Sequence, residues 1–219
     1  MLVDSKNFGL FLTVEGGEGA GKTTNIKTIC DFLSANNIDY IVTREPGGTD
    51  LAEQIRELLL APREESVAVK TELLLMFAAR AQHLENKILP ALTAGQWVVC
   101  DRFTDATFAY QGGGREMGME LISQLETIVQ EDLQPDCTFL LDLPIEIGMQ
   151  RASLRGDLDR FEQEKLSFFK RVRATYLMRA EQDVNRFKII DASKDISVVA
   201  RQLQSELQLL LDARLSANE

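Results

Sequence analysis

The sequence predicts an α/β fold in which a five-stranded parallel sheet is covered by helices on both faces. Three observations lead there. Five short apolar runs have strand length: Leu10–Glu15, Tyr40–Thr43, Trp97–Cys100, Thr138–Leu143 and Lys188–Ile190. Longer stretches with apolar residues at helical spacing separate them, near 22–36, 50–60, 66–93, 118–131, 144–154, 162–183 and 195–213. The 219 residues, 45% hydrophobic and 26% charged, suffice for one sizeable core. Strands alternating with helices pair in parallel, because each helix carries the chain back across a face of the sheet.

The first run ends at Glu15 in a glycine-rich turn, Gly16-Gly17-Glu18-Gly19-Ala20-Gly21-Lys22-Thr23, and a helical pattern follows at once. This matches G-x-x-x-x-G-K-[ST] in its strand–turn–helix context, the phosphate-binding loop. The chemistry explains the residue types. Glycines let the backbone turn tightly so that several N–H groups converge on phosphate oxygens, and the helix start adds positive potential. Lys22 is expected to reach the outer phosphates of a nucleoside triphosphate, and the Thr23 hydroxyl to ligate Mg²⁺, with Thr24 completing the loop. A ligand-free glycine turn is the plainer alternative, and the complete match in context disfavours it.

Further along, Pro62 is expected to end one helix, and Pro90 falls near the end of another. The segment 151–161, charged and containing Gly156, reads as a mobile loop between two helices inside a single domain spanning 1–219. No repeat, low-complexity tract or long linker interrupts the pattern.

Charge and composition exclude several function classes. Lys plus Arg number 24 against 34 Asp plus Glu, for a net charge of −10. Non-specific nucleic-acid binding is therefore not expected. A small phosphorylated ligand answers to a local arginine cluster instead. No apolar run is long enough to span a bilayer, and residues 1–9 show no charged-then-apolar leader, so a cytoplasmic location is expected. Cys30, Cys100 and Cys137 have no metal-ligand spacing and are expected to be reduced and buried. The single histidine, His83, excludes any two-histidine mechanism and is expected to be a packing or capping residue.

A phosphate-binding loop alone signifies only a nucleoside triphosphate. The guanine-reading N-K-x-D pattern is missing, which disfavours a GTPase. Five other segments resemble thymidylate kinases: Thr43-Arg44-Glu45-Pro46-Gly47-Gly48-Thr49, Asp101-Arg102-Phe103, Ala109-Tyr110-Gln111-Gly112-Gly113-Gly114-Arg115, the stretch Leu75–His83 around Arg80, and the arginines from Arg151 to Arg160. In order and spacing behind the loop they cover most of the chain.

That resemblance implies a P-loop kinase fold and Mg²⁺-dependent phosphoryl transfer from ATP to dTMP. It implies that Arg102 and Arg44 hold the acceptor phosphate, with Arg56 nearby. Asp101 is the Mg²⁺-associated carboxylate, and Glu45 acts through Mg²⁺ or ordered water. Glu18 accepts from the deoxyribose 3′-hydroxyl, Arg80 donates to the pyrimidine O4, and Thr107 and Gln111 read the rest of the base edge. The loop carries no arginine of its own. Arg151 and Arg155 are therefore expected at the transferring phosphoryl, with Arg160 on the ATP side and Asp191-Ala192-Ser193 beside the adenine. The family commonly has Phe four residues before the base-reading arginine. Here Met76 stands there and Phe77 one place later, leaving either to cover the thymine. Asp142 passes for a Walker-B acid but is expected to be structural, since Asp101 takes that place. Family members are typically homodimers.

Two other classes stay open at this stage. A deoxynucleoside kinase phosphorylates a hydroxyl and has less need of Arg44 and Arg102. An ATP-controlled switch module needs no second arginine set at all. Arg44 and Arg56 also have a plain reading as solvated charges.

Overall fold

The computed structural model describes residues 8–153 and 160–218. Arg155 and Gly156 lie outside the described residues. All five expected strands form: β1 (Phe11–Gly16), β2 (Tyr40–Arg44), β3 (Trp97–Asp101), β4 (Cys137–Asp142) and β5 (Phe187–Asp191). They make one parallel sheet in the order β2-β3-β1-β4-β5. β1 is central and buried along its whole length.

The pleat sends alternate residues of β1 to opposite faces. Leu12 and Val14 join Ile26, Ile29 and Leu33 of α1 (Lys22–Ala35) and Val199, Leu203 and Leu207 of α9 (Ile196–Asn218). Phe11 packs on the other side with Leu84, Ile88, Leu92 and Phe103. Thr13 also lies between strands, where its hydroxyl bonds that of Thr138 at 2.8 Å. Glu15 ends this row of alternate positions, fully buried just before the glycine turn.

Around the sheet run α2 (Asp50–Leu60), α3 (Val69–His83), α4 (Leu89–Thr93), α5 (Thr104–Thr107), α6 (Met119–Gln130), α7 (Ile145–Ser153) and α8 (Leu166–Gln182). The stretch expected as one helix over 66–93 is broken into α3, a π-helical turn at Leu84–Ile88, and α4. The break has a local cause. Pro90 has no N–H to give to the preceding turn, and the ladder widens to i→i−5, with the Leu89 N–H reaching the Leu84 carbonyl.

α5 and the π-helical segment Phe108–Gly114 that follows it were not expected from the sequence. Three consecutive glycines argue against helix by propensity. Tertiary packing overrides them. A β-carbon at Gly113 would stand 2.0 Å from Thr175 Oγ1, and one at Gly114 2.4 Å from the Phe168 ring, so α8 can close on this segment only where side chains are missing. The expected Leu73 and Phe77 stripe is core, as are Leu84, Ile88 and Leu92. Cys100 and Cys137 are buried free thiols, while Cys30 is only half-buried.

Candidate active site

The order β2-β3-β1-β4-β5 places β1 and β3 side by side at the point where successive connections depart in opposite directions, where open parallel sheets bind ligands. The turns after β1, β2 and β3 meet there around a cavity of about 570 Å³. Its lining includes the loop residues Glu18 to Thr24, together with Arg44, Glu45, Arg56, Met76, Arg80, Asp101, Arg102, Thr107, Gln111 and Arg151. Nearly all the residues expected from sequence are thereby brought together.

Gly19 and Gly21 hold left-handed φ values of 70° and 83°. Gly19 has a second reason to be glycine. A β-carbon there would lie 2.1 Å from the Gly148 carbonyl oxygen, and one at Gly148 would lie 2.4 Å from the Glu18 carbonyl oxygen. The phosphate loop thus rests backbone-to-backbone on α7. Gly16 and Gly17 are not at the cavity wall; their carbonyls accept from Arg102 (3.0 Å) and from Lys22 Nζ (3.4 Å). Burial, and then the neighbouring Arg102, pull the Lys22 ammonium below its usual value.

Arg102 directly follows β3, and its N–H bonds the Val14 carbonyl at 3.0 Å. It sits in the left-handed region at φ 67°, a conformation that costs a non-glycine residue about 1–2 kcal/mol. Its guanidinium offsets that by donating to the Gly16 carbonyl, to Tyr176 Oη at 3.2 Å and to Glu18 Oε1 at 2.7 Å, with its face over the Tyr110 ring. Burial works against this charge, but Tyr110 and Glu18 outweigh it and hold Arg102 well above its usual value. Tyr110 Oη also donates to Glu18 Oε1, at 2.6 Å. Beneath them Glu15 accepts from Tyr176 Oη (2.7 Å) and the Phe103 N–H (2.7 Å). Burial, and then the nearby Asp105, push its carboxyl up to about 7.

On the β2 side, Arg44 NH2 donates to Glu53 Oε2 at 2.9 Å and remains half-exposed. Arg56 NH1 donates to the Pro46 carbonyl at 2.8 Å. Burial, and then the charge of Arg44, lower the Arg56 guanidinium from its usual value. Both face the cavity, so neither is a freely solvated charge. Glu45 has both oxygens engaged, Oε2 with Arg80 Nε (2.7 Å) and Oε1 with His83 Nδ1 (3.0 Å).

Arg80 donates from NH2 to Thr107 Oγ1 at 2.9 Å, and lies between the Phe77 and Phe103 rings. Its NH1 is buried with no hydrogen-bond partner. Among the described residues Asp101 Oδ1 is in the same condition. Both residues line the cavity, and orphaned buried polar atoms beside it point to what the cavity binds. An acceptor oxygen suits the Arg80 nitrogen, and a cation suits the carboxylate oxygen beside Thr23. Among the described residues no group of three or more His, Cys, Asp or Glu is placed to hold a metal ion.

Four expectations shift in place. Phe77 is core beneath Arg80, and Met76 is the one at the cavity wall. Gln111 reaches the wall, but its amide N–H₂ donates to the buried Glu72 at 2.8 Å. Arg160 is not at the wall. Its Nε donates to the Leu59 carbonyl (2.7 Å) and NH2 pairs with Glu72 Oε2 (2.7 Å), which puts it with α2 and α3. Arg151 lines the cavity and donates to the Ala192 carbonyl at 3.2 Å, linking α7 to the turn after β5. As expected, Asp142 is occupied structurally, by Arg173 at 2.7 and 2.9 Å.

Sequence reasoning missed Glu15, Tyr176, Gly148, Leu60 and Phe161. The last two complete the apolar wall with Met76. Tyr110 stood within a quoted motif without a role. For Tyr176, one aromatic in a 3.6-period helix, the sequence carries no signal separating it from core.

The thymidylate kinase family model matches residues 14–203 of this chain. The chain belongs to the thymidylate kinase family. Thymidylate kinase of Pseudomonas entomophila (strain L48) is 56% identical over 204 residues, covering 93% of this chain and 97% of that one. Thymidylate kinase of Teredinibacter turnerae is 56% identical over 207 residues, covering 94% and 99%. The crystal structure of thymidylate kinase from Ehrlichia chaffeensis superimposes with a TM-score of 0.73 at 34% identity, covering 92% of this chain and 99% of that one.

Proposed function

We propose that this protein transfers the γ-phosphoryl group of ATP to dTMP, giving dTDP and ADP for dTTP synthesis. The observation that carries the reading is the pairing of two anion-binding sets in one cavity. The phosphate loop with Lys22 forms one, and Arg44, Arg56 and Arg102 form the other. A nucleoside kinase or an ATP switch has no use for the second set.

Phosphoryl transfer between two anions is mainly positioning and charge neutralisation. In this reading the loop from Gly16 to Thr24 holds the ATP phosphates and Lys22 follows the transferring group. Arg102, Arg44 and Arg56 align the acceptor phosphate for in-line attack. Glu18 and Tyr110 sit where the deoxyribose passes. Arg80 NH1 donates to the pyrimidine O4, Thr107 and Gln111 flank the base edge, and Met76 with Phe161 covers its face. No general base is called for, because a phosphate monoester is already ionised near neutral pH. Arg151 supplies positive charge from α7, and Arg155 is assigned the same task from sequence alone.

Thr23 and Asp101 are the residues that would hold Mg²⁺, in keeping with the buried unpartnered Oδ1. When bound, the ion neutralises charge on the β- and γ-phosphates. Glu45, with both oxygens engaged by Arg80 and His83, is assigned to base recognition instead. The chain is read as one kinase domain with 151–161 as its lid. We further propose a cytoplasmic homodimer. Among the described residues no helix is long and apolar enough to cross a membrane. α2 packs on α3 and α3 on α6, and these helices leave Leu51, Leu58, Leu74, Leu121 and Ile128 exposed. Such apolar surface suits a second copy of the same face.

The test is ADP release with Mg·ATP and dTMP, dUMP, dCMP, AMP or thymidine as acceptor. Strong turnover with dTMP, weak with dUMP, and loss of both on chelation of Mg²⁺ is the expected result. Turnover with thymidine alone, or ADP release independent of acceptor, overturns the reading.

A further inference from the structure

We infer that His83 is a positioning residue for recognition of the acceptor base, acting through Glu45 on Arg80. This rests on the dTMP kinase reading and adds to it a residue that touches no substrate. His83 is fully buried at the end of α3. Its Nδ1 meets Glu45 Oε1 at 3.0 Å, and its Nε2 meets Thr43 Oγ1 at 2.6 Å. A carboxylate only accepts, so Nδ1 carries the proton toward Glu45. Nε2 and the Thr43 hydroxyl make the second bond. The result is a continuous chain, Thr43–His83–Glu45–Arg80–Thr107, that begins on β2 and ends in α5.

The geometry has a purpose beyond filling the core. Glu45 Oε2 takes Arg80 Nε and Thr107 takes NH2, which leaves NH1 as the free nitrogen. The direction of NH1 therefore depends on the rotation of the Glu45 carboxylate, and that rotation is set by the bond from His83. The turn after β2 is shaped around the ring as well. A β-carbon at Gly48 would stand 2.4 Å from His83 Nε2, and the Gly48 carbonyl is held by Lys87 Nζ at 3.1 Å. A merely packed histidine needs neither bond. An imidazole bonded at both nitrogens to groups that surround a base-reading arginine fits an orienting role.

Two amide substitutions separate the possibilities because each imitates one ring nitrogen. His83→Asn places an N–H₂ near the position of Nδ1 and keeps the bond to Glu45. His83→Gln reaches toward Thr43 and loses it. His83→Leu loses both. The measurements are KM for dTMP, for dUMP and for ATP, kcat, and melting temperature. His83→Asn is expected to stay within about threefold of the parent in KM for dTMP. His83→Gln and His83→Leu are expected to raise it roughly tenfold or more, as befits loss of one bond to a charged group. KM for ATP should stay within about twofold, and the ratio of dTMP to dUMP efficiency should hold, since both bases carry O4. The inference fails if Asn and Gln are equivalent in KM for dTMP, or if KM for ATP rises in step with it. It also fails if KM follows melting temperature alone across the series. If His83→Leu does not fold, the Asn and Gln pair still decides. Should the parent itself not use dTMP, the kinase reading fails first, and that result is distinct from any difference between variants.

Discussion

The contact of Gly148 with the phosphate loop offers a test that changes no charge and no ligand. In Gly148→Ala the new methyl would stand 2.4 Å from the Glu18 carbonyl oxygen, and the backbones must part by about 0.6 Å to reach even 3.0 Å. Neither side yields easily. The Glu18 peptide is in the loop, and its side chain holds Arg102 at 2.7 Å and Tyr110 at 2.6 Å. Misplacement on the order of 1 Å costs roughly a hundredfold in rate where positioning is the catalysis. A shift of this size therefore predicts a loss of about 15-fold in kcat/KM for ATP. A smaller loss for dTMP should follow through Arg102, with about 1–3 kcal/mol of destabilisation. Initial rates with each substrate varied in turn, and urea unfolding, give both quantities. Gly118→Ala is the control. No atom lies within 4 Å of its β-carbon position and its φ is −62°, so activity should be unchanged and stability equal or up to about 1 kcal/mol higher. If Gly148→Ala keeps kcat/KM for ATP within threefold of the parent, α7 does not support the loop and the argument is refuted.

Glu15 gives a pH prediction. Its carboxyl is raised from 4.5 to about 7, so between those values the folded state binds the proton more tightly than the unfolded chain. Its contribution is complete below about pH 4.5 and is lost as pH climbs through 7, by at most about 3 kcal/mol. Urea midpoints at pH 5 and pH 7.5 should therefore differ more in the parent than in Glu15→Gln; equal differences would remove Glu15 as the cause. Arg80→Lys keeps the charge but cannot serve Glu45, Thr107 and a ligand together, and KM for dTMP should rise at least about tenfold with KM for ATP nearly unchanged. Leu74→Glu, at an exposed site on α3, should halve the mass seen by light scattering; an unchanged mass would exclude that face from the dimer contact.

The strands and the loop were legible because local chemistry decides them. An apolar run ending in glycines, a lysine and a threonine has few other structures open to it. Arg44, Asp101 and Arg102 were legible for a related reason, since each ends or follows a strand on the same edge of the sheet. The region from Thr104 to Gly114 was not, because its helical form rests on contact with Thr175 and Phe168 of α8, far along the chain. Met76 and Phe77 show the same limit at the scale of one residue. Helical spacing puts both beside Arg80, and only the packing of α6 and the Phe108 segment draws Phe77 into the core. Arg160 illustrates the limit for charge. Its composition suits a phosphate, but the buried carboxylate of Glu72 lies nearer.

Three of the five arginines at the cavity are matched with a glutamate of the same chain: Arg44 with Glu53, Arg80 with Glu45, Arg102 with Glu18. Lys22, Arg56 and Arg151 share one cavity with them, and like charges at that density would repel without such partners. The three pairs differ in what it costs to exchange the glutamate for a phosphate. Arg44 and Glu53 are 53% and 37% exposed, so water already competes for both and exchange is cheap. Arg102 and Glu18, at 16% and 15%, are dearer, and Tyr110 remains to satisfy Glu18 if Arg102 turns. Arg80 and Glu45 are 3% and 4% exposed, and separating them would strand a buried charge. The gradient assigns the work. On the proposed reading Arg44 would follow an incoming phosphate and Arg102 would adjust to it. Arg80 would keep its glutamate and offer the base only the nitrogen that is already unpaired. That reading places specificity for the base in the part of the site least able to move, and phosphate capture in the part most able to.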